Sequence, residues 1–261
     1  MTNTVRIVQT TRYDDGAFVK EEAAIPAEAP LTIRYNGREI ITLLSTPEHL
    51  DELAVGFLAS EGFLENPEDL ESVAVDDQAG FAEVTGRGAG EMVGRLMEKR
   101  TITSGCGKGT TFYHALDALR LAPPPEGVAF SLGGLAALAS RISREAPLHK
   151  LAGGIHHAAL TDDREVLLLR EDIGRHNAVD KLKGRCFLDG RPTGSCCLIL
   201  SGRVSSEMLI KAGKLGVPAV VSISRATSLA VDLARRLSIT LVGNLRGRRG
   251  VVYHDPDRLT A

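Results

Sequence analysis

Cys196-Cys197-Leu198-Ile199-Leu200-Ser201-Gly202-Arg203-Val204-Ser205-Ser206-Glu207 decides the fold. Its first five residues are apolar and end at Ser-Gly, too short a run for a helix, so they read as a buried strand. Serines then stand where a helix begins and can cap its first free N–H groups, which gives a helix over Ser205–Lys214. The unit recurs downstream as a strand at Ala219–Ser222 and a helix from Thr227 to Arg236. Ile239–Val242 and Val251–Tyr253 supply two further strands. Strand and helix in alternation imply an α/β layered sheet, in which sites collect at strand ends.

Upstream, Ile155–Leu160 and Glu165–Arg170 read as paired strands about Thr161-Asp162-Asp163-Arg164, and Ala178–Lys183 as part of a short helix. Leu132–Glu145 reads as another helix. Pro123-Pro124-Pro125 stops a helix expected over Thr111–Leu121 and marks the expected division of the chain, 1–122 from 123–261. In the first part, Leu31–Tyr35 and Arg38–Leu44 flank Asn36-Gly37, a pair that tolerates the positive φ of a tight hairpin turn. Thr46-Pro47-Glu48 reads as a helix start, Thr46 capping and Pro47 in the first turn. Leu50, Leu53, Ala54, Phe57 and Leu58 form its apolar stripe, and Glu61-Gly62 ends it. Val73–Val75 and Phe81–Thr85 are short strands; Met92–Arg100 fits helix or strand equally. The expected first unit is a smaller α+β domain.

The chain has 261 residues, 43% of them hydrophobic but only 4% aromatic, so aliphatic side chains must fill the core. A net charge of −2 argues against a general nucleic-acid binder. No apolar run reaches membrane-spanning length. Met1–Thr11 is polar and lacks a signal-peptide core, so the cytoplasm is the expected compartment. Of four cysteines no two have C-x-x-C spacing, and Cys196-Cys197 lies in an apolar run where cysteine behaves as a small buried hydrophobe.

Cys106 is set differently, in Ile102-Thr103-Ser104-Gly105-Cys106-Gly107-Lys108-Gly109-Thr110. Glycines leave a neighbouring side chain open to a partner. A thiol acts as a nucleophile only as thiolate, which a cation or a helix N-terminus favours; Lys108 and the helix expected near Thr110 are placed to supply these. A surface loop with an incidental cysteine is the simpler alternative. The stretch is not a P-loop, because Ile102 and Gly109 stand where a glycine and a Ser or Thr are needed.

Five other stretches are rich in polar groups. Gly153-Gly154-Ile155-His156-His157 opens a strand, and alternation sends its imidazoles to opposite faces, which disfavours a shared metal. Arg170-Glu171-Asp172-Ile173-Gly174-Arg175-His176-Asn177 follows a strand and suits a ligand with phosphates or a hydrogen-bonding ring, or else is a solvated, salt-bridged loop. Ser201–Glu207 and Ser224-Arg225-Ala226-Thr227 pair helix caps with N–H groups that bind anions. In Gly243-Asn244-Leu245-Arg246-Gly247-Arg248-Arg249-Gly250, three arginines among glycines can clamp a diphosphate or simply be solvated in a hairpin.

Together these stretches resemble the formate dehydrogenase accessory sulfurtransferase family, FdhD. The resemblance rests on Gly105-Cys106-Gly107, Gly154-Ile155-His156, the run Glu171–Leu182, Ser201–Met208 and Thr240-Leu241-Val242-Gly243, in the family's order. It implies a cytidine-deaminase-like three-layer C-terminal domain and a homodimer. It also implies a sulfurtransferase in which Cys106 takes sulfur as a persulfide from a cysteine desulfurase. The sulfur passes to the molybdenum of a bis(molybdopterin guanine dinucleotide) cofactor, carried as cargo, before that cofactor enters the formate dehydrogenase catalytic subunit. The implied cofactor loop is Asn244, Leu245, Arg246, Gly247, Arg248 and Arg249, with Asp172, Arg175 and His176 as candidates to read the guanine. Many members carry a second cysteine in the Cys106 loop; here Gly109 holds that place, so a local disulfide is impossible. Two other functions remain in view. A cofactor-delivering chaperone would move no sulfur. A zinc deaminase would need H-x-E and P-C-x-x-C, and the chain has neither.

Overall fold

The structure, a computed structural model, describes residues 4–87, 101–102, 110–111 and 121–261. Cys106, Lys108, the ambiguous stretch Met92–Arg100 and most of the helix expected over Thr111–Leu121 lie outside the described residues.

The chain opens with a hairpin of two ten-residue strands, β1 (Val5–Asp14) and β2 (Ala17–Pro26), turning at Asp15-Gly16 with both residues at positive φ. The polar reading of Met1–Thr11 missed it, although Asp-Gly between two strand-like runs is a hairpin signal. Next come β3 (Ala29–Tyr35) and β4 (Arg38–Ser45), turning at Asn36-Gly37 as expected, then α1 (Leu50–Glu61), β5 (Leu70–Asp76) and β6 (Phe81–Gly86). These strands form a sheet of order β4-β3-β6-β5. Short β7 (Thr101–Ile102) and β8 (Thr110–Thr111) pair antiparallel on either side of the Cys106 stretch.

The second half contains β9 (Phe130–Ser131), α2 (Leu132–Glu145), α3 (Pro147–Ala152), β10 (His156–Thr161), β11 (Val166–Asp172) and α4 (Arg175–Leu188). It continues with β12 (Cys197–Leu200), α5 (Ser206–Leu215), β13 (Ala219–Ser222), α6 (Ser228–Arg236), β14 (Thr240–Arg246), β15 (Arg249–His254) and β16 (Leu259–Thr260). Six strands form one mixed sheet, β11-β10-β12-β13-β14-β15, parallel only across β12, β13 and β14. Ser205 and Thr227 cap α5 and α6 by accepting from Met208 N and Ala230 N.

Strand alternation gives this sheet two apolar faces. Leu198 and Leu200 join Val179, Leu182, Met208 and Leu233 from the helices on one side. Cys197 and Ile199 join Leu135, Ala139 and Ile142 of α2 on the other. The sheet therefore lies between helices on both faces.

Helix α1 is buried on nearly every side from Glu52 to Glu61, rather than along one stripe. One side meets Leu31, Ile33 and Val84 of the small sheet. The other meets α4 at two glycines. A β-carbon on Gly56 would lie 1.8 Å from the Asp180 carbonyl oxygen, and one on Gly184 would lie 1.8 Å from that of Glu52. Only glycine permits backbones this close. Gly62, at φ 87°, ends α1 as expected.

The start of α1 corrects the expected cap. Position His49 at φ 53° precedes the helix, and Thr46 is buried well before it. Thr46 instead ties the two halves together: its N–H donates to Asp172 Oδ2 (3.1 Å), and its hydroxyl accepts from Ile173 N (3.2 Å).

Candidate functional site

Because β10 runs antiparallel to β12, its first residues lie beside the carboxyl end of β12. Ser201 bridges the two: its hydroxyl accepts from His157 N–H (2.9 Å), and it lies 3.2 Å from His156 Nδ1. A β-carbon at Gly202 would sit 3.3 Å from Arg175 Cβ, Arg175 Cδ and His156 Nδ1. Glycine there lets the start of α4 and the start of β10 close over the strand end.

The Glu171–Leu182 run divides in two. Asp172, fully buried, is wholly engaged inside the protein. Its Oδ1 accepts from Gly174 N (2.8 Å) and Asn177 Nδ2 (2.9 Å), and its Oδ2 meets Thr46 N and Lys181 Nζ. Asp172 thus shapes the loop before α4, and its carboxylate has no oxygen left to read a guanine. Arg175 and His176 lie in the first turn of α4, next to Gly202 and α5. His176 Nε2 is 3.4 Å from Glu207 Oε2. Burial first, then Lys211 and Arg175, push the His176 pKa down to about 3, so the imidazole is neutral at pH 7. Burial and Arg175 also lower that of His156.

His157 faces the other way, as alternation requires. It is buried, packs edge-on against His149 with ring centres 5.9 Å apart, and is held down to about 4, mainly by burial.

The neighbouring strand ends carry the arginines. Arg203 and Arg225, exposed, follow β12 and β13, and Val204 N–H donates to the Arg225 carbonyl (3.0 Å). Strand β14 outruns its pairing with β13: Asn244, at φ 53°, donates its N–H to Ser224 O (2.6 Å), and Arg246 Nε donates to Ile223 O (3.3 Å). Arg246, Gly247, Arg248 and Arg249 are exposed at this projecting turn, Gly247 at φ 57°. Leu245 departs from the expected loop set, since its side chain is buried in the core beside α2 and only its backbone reaches the rim. From β10 to β14 the rim crosses three strand spacings, roughly 14 Å.

The structure thus brings Arg175 and His176 to the same sheet edge as Asn244–Arg249, and adds His156, Ser201 and Gly202. Sequence reading quoted those three but could not see them converge, because strand order alone makes them neighbours. Cys106 lies outside the described residues. The other three cysteines, Cys186, Cys196 and Cys197, are free and buried, and burial raises the pKa of each thiol.

Cations and neutral imidazoles thus gather at the carboxyl ends of parallel strands of an α/β sheet, where sites of this architecture collect. Comparison with known proteins sharpens this. Residues 26–260 match the FdhD/NarQ family, and the chain belongs to that family. It is 39% identical over 248 residues to the sulfur carrier protein FdhD of Bacillus subtilis, covering 95% of each chain. It is 41% identical over 248 residues to that of Geobacillus kaustophilus, covering 95% of this chain and 94% of the relative. The crystal structure of a protein assigned as a formate dehydrogenase accessory protein, from Desulfotalea psychrophila, shares the fold with a TM-score of 0.79. It is 23% identical, and the match covers 98% of this chain and all of the other. No helix among the described residues is long and apolar enough to cross a membrane.

Proposed function

We propose that this chain is a sulfur carrier serving formate dehydrogenase, with Cys106 as the carrying thiol. The observation that carries the reading is an asymmetry among the cysteines. Cys186, Cys196 and Cys197 are buried with raised thiol pKa values, whereas Cys106 lies among glycines beside Lys108. A buried, protonated thiol is a poor nucleophile. The relatives' name supports the same role.

In this reading the Cys106 thiolate attacks the terminal sulfur of a persulfide on a cysteine desulfurase. The donor's thiolate leaves, and Cys106 becomes the persulfide. The recipient is the molybdenum of a bis(molybdopterin guanine dinucleotide), bound as cargo and destined for the formate dehydrogenase catalytic subunit. The rim supports such a cargo. Arg246, Arg248 and Arg249 provide exposed donors for diphosphate oxygens, Arg175 adds positive charge, and the neutral imidazoles of His156 and His176 offer hydrogen bonds without repelling a guanine ring. The antiparallel pair β11-β10 beside parallel β12–β14 supports a cytidine-deaminase-like description of the larger sheet. A cytoplasmic homodimer completes the reading.

Guanosine diphosphate carries the guanine and one diphosphate of the cargo and tests the rim directly. It should bind the purified protein, and Arg246→Ala, Arg248→Ala and Arg249→Ala should each weaken it about tenfold without changing stability. Equal affinity in all three variants would remove the arginine turn from the cargo site.

A further inference from the structure

The end of α4 remote from the rim borders a cavity of about 240 Å³, lined by Glu65, Lys183, Cys186, Arg191, Thr193 and Lys214 among others. Lys183 is 8% exposed. Its ammonium donates to two main-chain carbonyls, Ala59 O (3.0 Å) and Lys214 O (3.2 Å). Among the described residues no carboxylate comes within ion-pair distance of it. Lys214 Nζ donates to Ser60 O (2.7 Å), and Arg191 is exposed at the cavity mouth. Carbonyls at the ends of α1 and α5 thus fix two ammonium heads beside the cavity, with only Glu65 as a lining carboxylate.

A buried cation lacking an anionic partner, in an open cavity with two more cations, is arranged for an anion. We propose that this cavity is a binding site for a small tetrahedral oxyanion, free phosphate or the phosphate of a small metabolite, separate from the strand-end rim. Lys183, Arg191 and Lys214 all line it, and Thr193 is already engaged by its own donation to Leu215 O. The volume admits one such anion with a few waters.

Protonation supports the site. Burial, then Lys214, lowers the Lys183 pKa to about 7, while Asp180 and Glu61 oppose the fall and Lys211 adds to it. An anion in the cavity favours the charged form, so binding takes up a proton near and above neutral pH.

Calorimetry of the full chain in phosphate-free buffer tests the proposal. Inorganic phosphate should bind once per chain at this site. Arg191→Glu, an exposed change that leaves the fold alone, should weaken it at least tenfold by rough estimate, and Lys183→Met should abolish it. Sulfate, whose charge is constant over the range, should bind more weakly at pH 9 than at pH 6, and Lys183→Met should remove that dependence. Glycerol phosphate binding as well as phosphate would indicate a metabolite's phosphate; preference for inorganic phosphate would indicate the free ion. No binding to the wild type, or phosphate binding unaltered by both Arg191→Glu and Lys183→Met, would overturn the proposal.

Discussion

Lys181 Nζ lies 2.7 Å from Asp172 Oδ2, and neither side chain is exposed at all. The same ammonium donates to Thr46 O (3.1 Å) and Glu171 O (3.3 Å), so one buried pair holds the chain before α1 against the loop before α4. That loop presents Arg175 and His176 to the rim. The polar run that carries the family resemblance therefore acts largely from inside.

Removing one member of such a pair strands the other charge in the interior. Lys181→Met should cost about 3–5 kcal/mol of stability, read by urea unfolding. A loss below about 1 kcal/mol would mean that water reaches Asp172.

The glycine crossing predicts opposite signs for one kind of substitution. Alanine normally stabilises a helix relative to glycine by about 1 kcal/mol. Gly133→Ala in α2, where the nearest atom to the new carbon is 3.7 Å away, should stabilise. Gly56→Ala and Gly184→Ala must push α1 from α4 and should destabilise by about 3 kcal/mol or more. Comparing the three melting temperatures checks this. A gain at Gly56 would contradict the close crossing.

Much of this was legible in the sequence because it is local. The helix Leu132–Glu145, the strand Ala219–Ser222, the Asn36-Gly37 turn and the caps Ser205 and Thr227 depend on neighbours in the chain, and all stand where they were expected. Thr46 misled because a long-range partner, the Asp172 loop, engages the hydroxyl that a local rule assigns to a helix cap. Asp172 misled for the same reason: a charged residue in a loop reads as solvent-facing or ligand-facing until burial is known. The rim's arginines were visible as a cluster, but their meeting with Arg175 depends on strand order, which no local pattern encodes.

Acid should weaken the fold through its buried histidines. His157 and His176 have folded pKa values of about 4 and about 3, below their ordinary 6.5. At these two sites the unfolded chain thus binds more protons in this range, and the histidines' contribution to stability is full above about pH 6.5 and falls as pH drops toward 4. Each histidine contributes a slope of up to about 1.4 kcal/mol per pH unit. His157→Phe should flatten the dependence between pH 6.5 and 4.5 relative to wild type. An unchanged slope would show that His157 is protonated in the folded state.

In the proposed function Cys106 carries sulfur. Its most direct test is the intact mass of the purified protein after incubation with an active cysteine desulfurase and cysteine, wild type beside Cys106→Ala. The wild type should gain sulfur that reductant removes and the variant should not, with Gly109 no obstacle. No gain in the wild type, or an equal gain in both proteins, would contradict it; no gain would favour a chaperone that binds the cofactor without moving sulfur.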